Sequence, residues 1–145
     1  MLGSLAKWLR ILGYDALYCR DMTAFSIFKL ALSENRIIIT RNKKFKHYIS
    51  PKVIMVNSTG VIEQLKFVAG ELRLDTKNIF TRCSVCNTLL ETQPKENIKD
   101  KVPEYIYNNH GGFAVCPSCK RIYWPGTHTE KIMNVFADIG MKKGG

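Results

Sequence analysis

Phe80-Thr81-Arg82-Cys83-Ser84-Val85-Cys86 and Phe113-Ala114-Val115-Cys116-Pro117-Ser118-Cys119 are written in one frame, Phe-x-x-Cys-x-x-Cys. Two residues between cysteines let one tight turn present both sulfurs to one ion. Two such turns supply the four corners of a tetrahedron. Cys83, Cys86, Cys116 and Cys119 are therefore read as ligands of a structural zinc ion, with no position left open for water. The ion would stabilise a segment too short to bury a core of its own. Two competing readings explain less. Disulfides need an oxidising compartment, and no secretory signal opens the sequence. A thioredoxin-like motif accounts for one pair but not for two. The stretch between the pairs leaves room for an excursion from Glu91 to Tyr107.

The sequence has 145 residues, the size of one domain or of a compact domain plus a zinc module. Lys and Arg number 22 against 12 Asp and Glu, a formal charge of +10. That excess points to a polyanionic partner, most often nucleic acid, the alternative being a solvated basic face. An anionic membrane fits less well, because no apolar run approaches the ~20 residues that span a bilayer. A cytoplasmic location is expected. Cys19, the odd cysteine, reads as a small buried hydrophobe.

Upstream of the cysteines, helical and strand patterns alternate. Leu5, Trp8, Leu9 and Leu12 recur at helical spacing, with Ser4 as N-cap and Gly13 as stop. Ala16 to Cys19 reads as a short strand. Thr23 caps a second helix, with Phe25, Phe28 and Leu32 on one face and Ile27, Leu30 and Ala31 beside it. Arg36 to Thr40 is a β-branched run without alternation, so it is expected to be buried on both faces, as in a parallel sheet. Asn42 to Ile49 reads as a short basic helix or turn, Val53 to Val56 as a second buried strand, and Val61 to Leu72 as an amphipathic helix. The order implies an α/β fold with a parallel sheet, whose working edge lies at the carboxyl ends of the strands. Thr40, Arg41 and Asn42 follow one such end.

Arg36, Arg41, Lys43, Lys44, Lys46, His47 and Lys52 fall in one stretch free of acidic residues, with Phe45 and Tyr48 interleaved. Lys and Arg can neutralise phosphates, and aromatics can stack on unpaired bases. Phe45 is read as an anchor to the core instead. Arg82, beside the first cysteine pair, and Lys120 and Arg121, after the second, suit phosphate contact from a rigid turn. Tyr123 and Trp124 either stack on bases or cover the ribbon. His110 and His128 read as surface or packing residues. Thr127-x-x-Glu130 resembles a capping box for a last helix carrying Ile132, Val135, Phe136 and Ile139 on one face, with Gly140 after it. The tail from Met141 to Gly145 is expected to be mobile. The expected division is an α/β domain over 1–76 and a zinc ribbon with a terminal helix over 77–145.

Three motifs carry a family resemblance. Met1-Leu2-Gly3-Ser4-Leu5-Ala6-Lys7-Trp8-Leu9-Arg10-Ile11-Leu12-Gly13-Tyr14-Asp15 resembles the opening of the Mut7-C family, a branch of the PIN-like ribonuclease fold. Glu34-Asn35-Arg36-Ile37-Ile38-Ile39-Thr40-Arg41-Asn42 resembles its second hallmark. The cysteine ribbon with Arg121-Ile122-Tyr123-Trp124-Pro125-Gly126-Thr127-His128 resembles its C-terminal part. The resemblance implies a ribonuclease whose carboxylates hold Mg²⁺ or Mn²⁺ at the sheet edge for two-metal hydrolysis of a phosphodiester. The departures concern those carboxylates. The family opens with a strand ending in aspartate before Met-Leu-Gly, and here the sequence starts at Met1. The family's Thr-Arg-Asp is Thr40-Arg41-Asn42 here, and Ala24 stands where an acid is common. Of Asp15, Asp21 and Glu34, only Asp21 reads as a remnant of the acidic site.

The resulting expectation is an RNA-binding zinc protein on a degenerate PIN-like scaffold whose first strand either lies upstream of Met1 or is missing. It would be a non-catalytic component of a ribonucleoprotein such as the ribosome, in contact with ribosomal RNA. The alternatives are an active Mg²⁺- or Mn²⁺-dependent RNase and a module whose charge serves an acidic protein partner.

Overall fold

The computed structural model describes residues 2–141; the tail from Lys142 to Gly145 lies outside the described residues. Helices α1 (Gly3–Ile11), α2 (Ala24–Glu34) and α3 (Val61–Leu72) accompany strands β1 (Ile38–Thr40) and β2 (Val53–Met55). Strands β3 (Glu91–Gln93), β4 (Phe113–Val115) and β5 (Ile122–Tyr123) follow, with α4 (Glu104–Asn109) between β3 and β4 and α5 (Thr127–Asp138) last. The fold is mixed α/β with a small parallel sheet, flanking helices and the four cysteines gathered together, as in a zinc ribbon. The contacts define two compact units. One comprises the residues up to Ala6 with Leu17–Leu74, the other Lys7–Ala16 with Asp75 onward. No helix among the described residues is long and apolar enough to cross a membrane.

In the first unit, β1 and β2 pair in parallel, with Ile38 opposite Val53 and Thr40 opposite Met55. The expected strand from Arg36 shortens to three residues. Ile38 is buried but Ile37 is exposed, so the run is not covered on both faces. Ile38 packs with Ala31 and Phe45, and Ala24, Ile27 and Val53 close around them. Phe45 is thus the core anchor the sequence suggests. Thr23 caps α2 by accepting the Ser26 amide at 3.1 Å, and Asn35 ends the helix in the left-handed region at φ 53°. The face of α2 turned to the core is Ala24–Ile27–Ala31, whereas Phe25 and Leu32 are exposed.

In the second unit, β3, β4 and β5 form an antiparallel sheet in that order. The excursion between the cysteine pairs has a core of its own, made of Ile98, Ile106 and Phe113 with Trp124 against it. The rings of Phe113 and Trp124 lie 6.4 Å apart, so Trp124 has a packing role here. Trp8 meets Phe136 edge-on at 5.5 Å.

Three local expectations are corrected. Helix α1 starts at Gly3, so Ser4 lies inside it. Ala16 to Cys19 forms no strand; the Ala16 amide donates to Asn87 Oδ1 and its carbonyl accepts from Arg10 Nε, which leaves neither group for a ladder. Thr127 enters α5 rather than capping it. The reciprocal cap joins Gly126 and Thr129, whose Oγ1 accepts the Gly126 amide at 3.0 Å and whose own amide donates to the Gly126 carbonyl at 3.0 Å.

Candidate metal centre and basic turn

The two Cys-x-x-Cys turns repeat each other bond for bond. The Cys86 amide donates to Cys83 Sγ and the Cys119 amide to Cys116 Sγ, each at 3.4 Å. The next amide, of Asn87 or Lys120, donates to the carbonyl of the first cysteine at 2.9 Å. Both residues are left-handed, at φ 68° and 67°. The first cysteine's amide then donates across the turn, to Thr88 O or Arg121 O, again at 2.9 Å. Amides aimed at sulfur stabilise thiolates, so each turn is built to hold negative charge. The matching phenylalanines differ: Phe113 is buried and Phe80 is exposed at φ 63°.

The four sulfurs all lie within 4.8 Å of one another, and those of Cys83 and Cys119 are 3.7 Å apart. A tetrahedron with metal–sulfur bonds of about 2.3 Å has edges of about 3.8 Å, so the cluster fits one tetrahedral ion. Cys83 and Cys116 are fully buried. Hydrogen bonds from the Arg121 amide and then its guanidinium hold the Cys119 thiol down to about 6. The facing Cys86 is pushed up to about 12, first by its hydrogen bond to Cys119. Tyr123 Oη lies 3.0 Å from Cys83 Sγ, and burial, followed by that bond, pushes the phenol up to about 12. The phenol therefore keeps its proton and can donate it to a thiolate. Neither Tyr123 nor Arg121 carries this role in the sequence pattern; the signal was their place four and two residues after Cys119.

A second set of bonds fastens residues 10–16 to the first cysteine turn. Arg10 donates to the carbonyls of Ala16 (2.8 Å), Ser84 and Val85 (both 3.1 Å). Arg82, expected as a phosphate contact, donates to Gly13 O at 3.0 Å and Asn87 O at 2.8 Å. Asn87 donates to Asp15 at 2.7 Å, and Tyr14 Oη accepts the Asp75 amide at 3.0 Å. Gly13, at φ +95°, lies so close to Asn78 that a Cβ there would land on its carbonyl oxygen. Asp15 is thus occupied in holding the ribbon.

In the first unit, a 3₁₀ turn over Lys43–Phe45 follows β1 directly. Asn42 caps it: its Oδ1 accepts the Lys44 amide at 2.9 Å, while its own amide donates to Thr40 Oγ1 at 3.0 Å. Arg41, Lys43, Lys44, Lys46 and Lys52 are all exposed. The register puts Arg41 at the carboxyl end of the sheet and Lys52 at the amino end, with the basic loop running between. Arg36 is part-buried and paired with Glu34 at 2.7 Å. Asp21 is exposed in the bend before Thr23. Among the described residues, the one group of three or more potential ligands close enough to share an ion is the four cysteines.

Both units contain segments that one comparison unites. A family model of the Mut7-C RNAse domain matches residues 1–136. The chain belongs to the Mut7-C RNAse domain family. Comparison with curated proteins and with solved structures gave no match. The Mut7-C match embraces the opening helix, the basic turn and the cysteine centre together. Of the opening motif, Gly13 and Asp15 bond here to Arg82 and Asn87 at the first cysteine turn and Tyr14 to Asp75, while Asn42 stands in the second hallmark as a cap.

Proposed function

We propose that this Mut7-C protein holds RNA on the basic turn after β1 and does not cut it, and that its four cysteines bind one structural zinc ion. The carrying observation is Asn42. It sits at the carboxyl end of β1, where the sheet's working edge lies, and its amide oxygen is spent on the Lys44 N–H. A neutral amide is a poor ligand for a hard dication. The exposed cations around it, Arg41, Lys43, Lys44 and Lys46, favour phosphate, and with no carboxylate at position 42 that attraction is stronger. Lys120, exposed at the second cysteine turn, extends the candidate contacts. A small, basic, zinc-stapled protein suits a place in a cytoplasmic ribonucleoprotein such as the ribosome, against its RNA.

The second reading is an active Mg²⁺- or Mn²⁺-dependent RNase, and the match to an RNAse domain over 1–136 favours it. One assay separates the two. Labelled RNA is incubated with zinc-loaded protein in Mn²⁺ or in brief EDTA, and binding and cleavage are recorded together. Salt-sensitive binding with intact RNA in both supports the first reading. Mn²⁺-dependent cleavage that persists through purification supports the second.

A further inference from the structure

We infer that Ile49 is an apolar wedge that enters between unpaired or weakly stacked bases of the RNA held by the basic turn. The inference rests on the RNA reading above and adds the mode of contact. Ile49 is 95% exposed, the most exposed large hydrophobic residue among those described. An aliphatic side chain displayed this fully gains nothing from the fold, and of its two neighbours in sequence Tyr48 packs its ring on Phe28 and Phe45 while Ser50 is polar. Lys46, His47 and Lys52 flank it, and no acidic residue occurs from Asn35 to Ile62.

The base beneath Ile49 is firm. Phe45 is buried in the core with Ala31 and Ile38. Tyr48 rests on Phe28 at 4.9 Å and edge-on against Phe45 at 5.6 Å. Tyr48, which the sequence offers as a stacking residue, thus has its ring engaged by two others. Its neighbour Ile49 is left as the apolar group that points away from the fold. Cations that grip phosphates around an aliphatic side chain match the device by which proteins part a base step with Ile, Leu or Met. A bilayer is a poorer occupant, since one inserted aliphatic side chain supplies little burial beside the charges that must stay in water.

The test uses the full-length, zinc-loaded chain with an RNA hairpin carrying 2-aminopurine in its single-stranded loop and a fully paired duplex as control. Anisotropy reports binding, and 2-aminopurine fluorescence reports unstacking. The wild type is expected to bind with a steep salt dependence, to change the loop fluorescence and to prefer the hairpin to the duplex. Ile49→Ala, a truncation in solvent that leaves the core untouched, is expected to keep the salt slope, lose the fluorescence change and lose about tenfold in affinity for the hairpin. Ile49→Leu should restore both. If Ile49→Ala changes the loop fluorescence as the wild type does, the wedge is wrong while the basic turn stands. If the wild type shows no salt-dependent RNA binding, the underlying RNA reading fails. Ile49-dependent binding to vesicles of phosphatidylserine and phosphatidylcholine, without RNA binding, overturns both.

Discussion

The hydroxyl of Tyr123 lies 3.0 Å from the sulfur of Cys83. Cys83 is fully buried, so water cannot do the same work there. A phenol that donates to a ligand sulfur fixes its direction and spreads its charge, as outer partners of metal ligands do. Tyr123→Phe keeps the ring and removes the donor. Loss of such a partner costs roughly 10–100-fold in metal affinity. Competition with a chromophoric chelator should show it, and in the Co²⁺ form the sulfur-to-metal charge-transfer band should shift. An unchanged affinity and spectrum would reduce Tyr123 to a packing residue.

If the four cysteines hold zinc as proposed, its removal should act on more than the cysteines. Ser84 and Val85, the residues between Cys83 and Cys86, supply the carbonyls that receive Arg10. Once the turn is no longer pinned by metal, those carbonyls lose their fixed direction. Chelation should therefore raise amide hydrogen exchange in residues 10–16 together with that in β3, β4 and β5. Elemental analysis should find one zinc per chain. A cooperative melt that is the same with and without metal would refute a structural role for the ion.

Much of this centre was legible in advance because cysteine spacing reports local geometry. Two residues between sulfurs define a turn whatever surrounds it, and the two turns obey the same bonds. Thr23 and the span of α3 were legible for the same reason, since a cap and a period are local. What escaped was settled at long range. Arg82 reads as a phosphate contact, and only the fold brings the carbonyls of Gly13 and Asn87 to it. The strand expected over Ala16 to Cys19 failed because Asn87, 71 positions further on, takes the Ala16 amide. On α2 the larger apolar residues suggested the wrong face. Ala24, Ile27 and Ala31 let the sheet approach, and Phe25 stays outside.

Gly13 offers a direct check of the fastening between residues 10–16 and the ribbon. Its φ of +95° disfavours any side chain, and a Cβ would meet the Asn78 carbonyl oxygen, a backbone atom that cannot swing aside. Gly13→Ala should destabilise by about 3 kcal/mol or more. Denaturant unfolding of the zinc-loaded protein measures it. A loss below 1 kcal/mol, about the cost of a mild surface change, would mean that the approach is looser than the structure has it.

The basic turn predicts a number as well as a direction. Each lysine that neutralises a phosphate of single-stranded RNA contributes about 0.7 to the slope of log affinity against log salt. Replacing Lys43, Lys44 and Lys46 by Ala should therefore lower the slope by about two and weaken binding at low salt. The folding cost should be small, because all three side chains are exposed. A slope equal to that of the wild type would take this turn out of the RNA contact, whatever the affinity did.

Asn42→Asp tests whether a carboxylate at this one position supports metal-dependent cleavage. Aspartate caps as well as asparagine, so the bond to the Lys44 amide should survive and stability should change by less than about 0.5 kcal/mol. Asn42→Ala, which removes the cap, should cost about 1 kcal/mol and serves as the structural control. The new charge falls in sequence among the exposed Arg41, Lys43 and Lys44, so RNA binding should weaken several-fold at low salt and converge on the wild type as salt screens it. One carboxylate gives a hard dication too few oxygens, and Asp21 is the one other acid the sequence offers as a remnant of the site. The variant is therefore expected to leave RNA intact in Mn²⁺. Gain of Mn²⁺-dependent cleavage by Asn42→Asp would show that further ligands are already in place, and that a single amide separates this protein from an active nuclease.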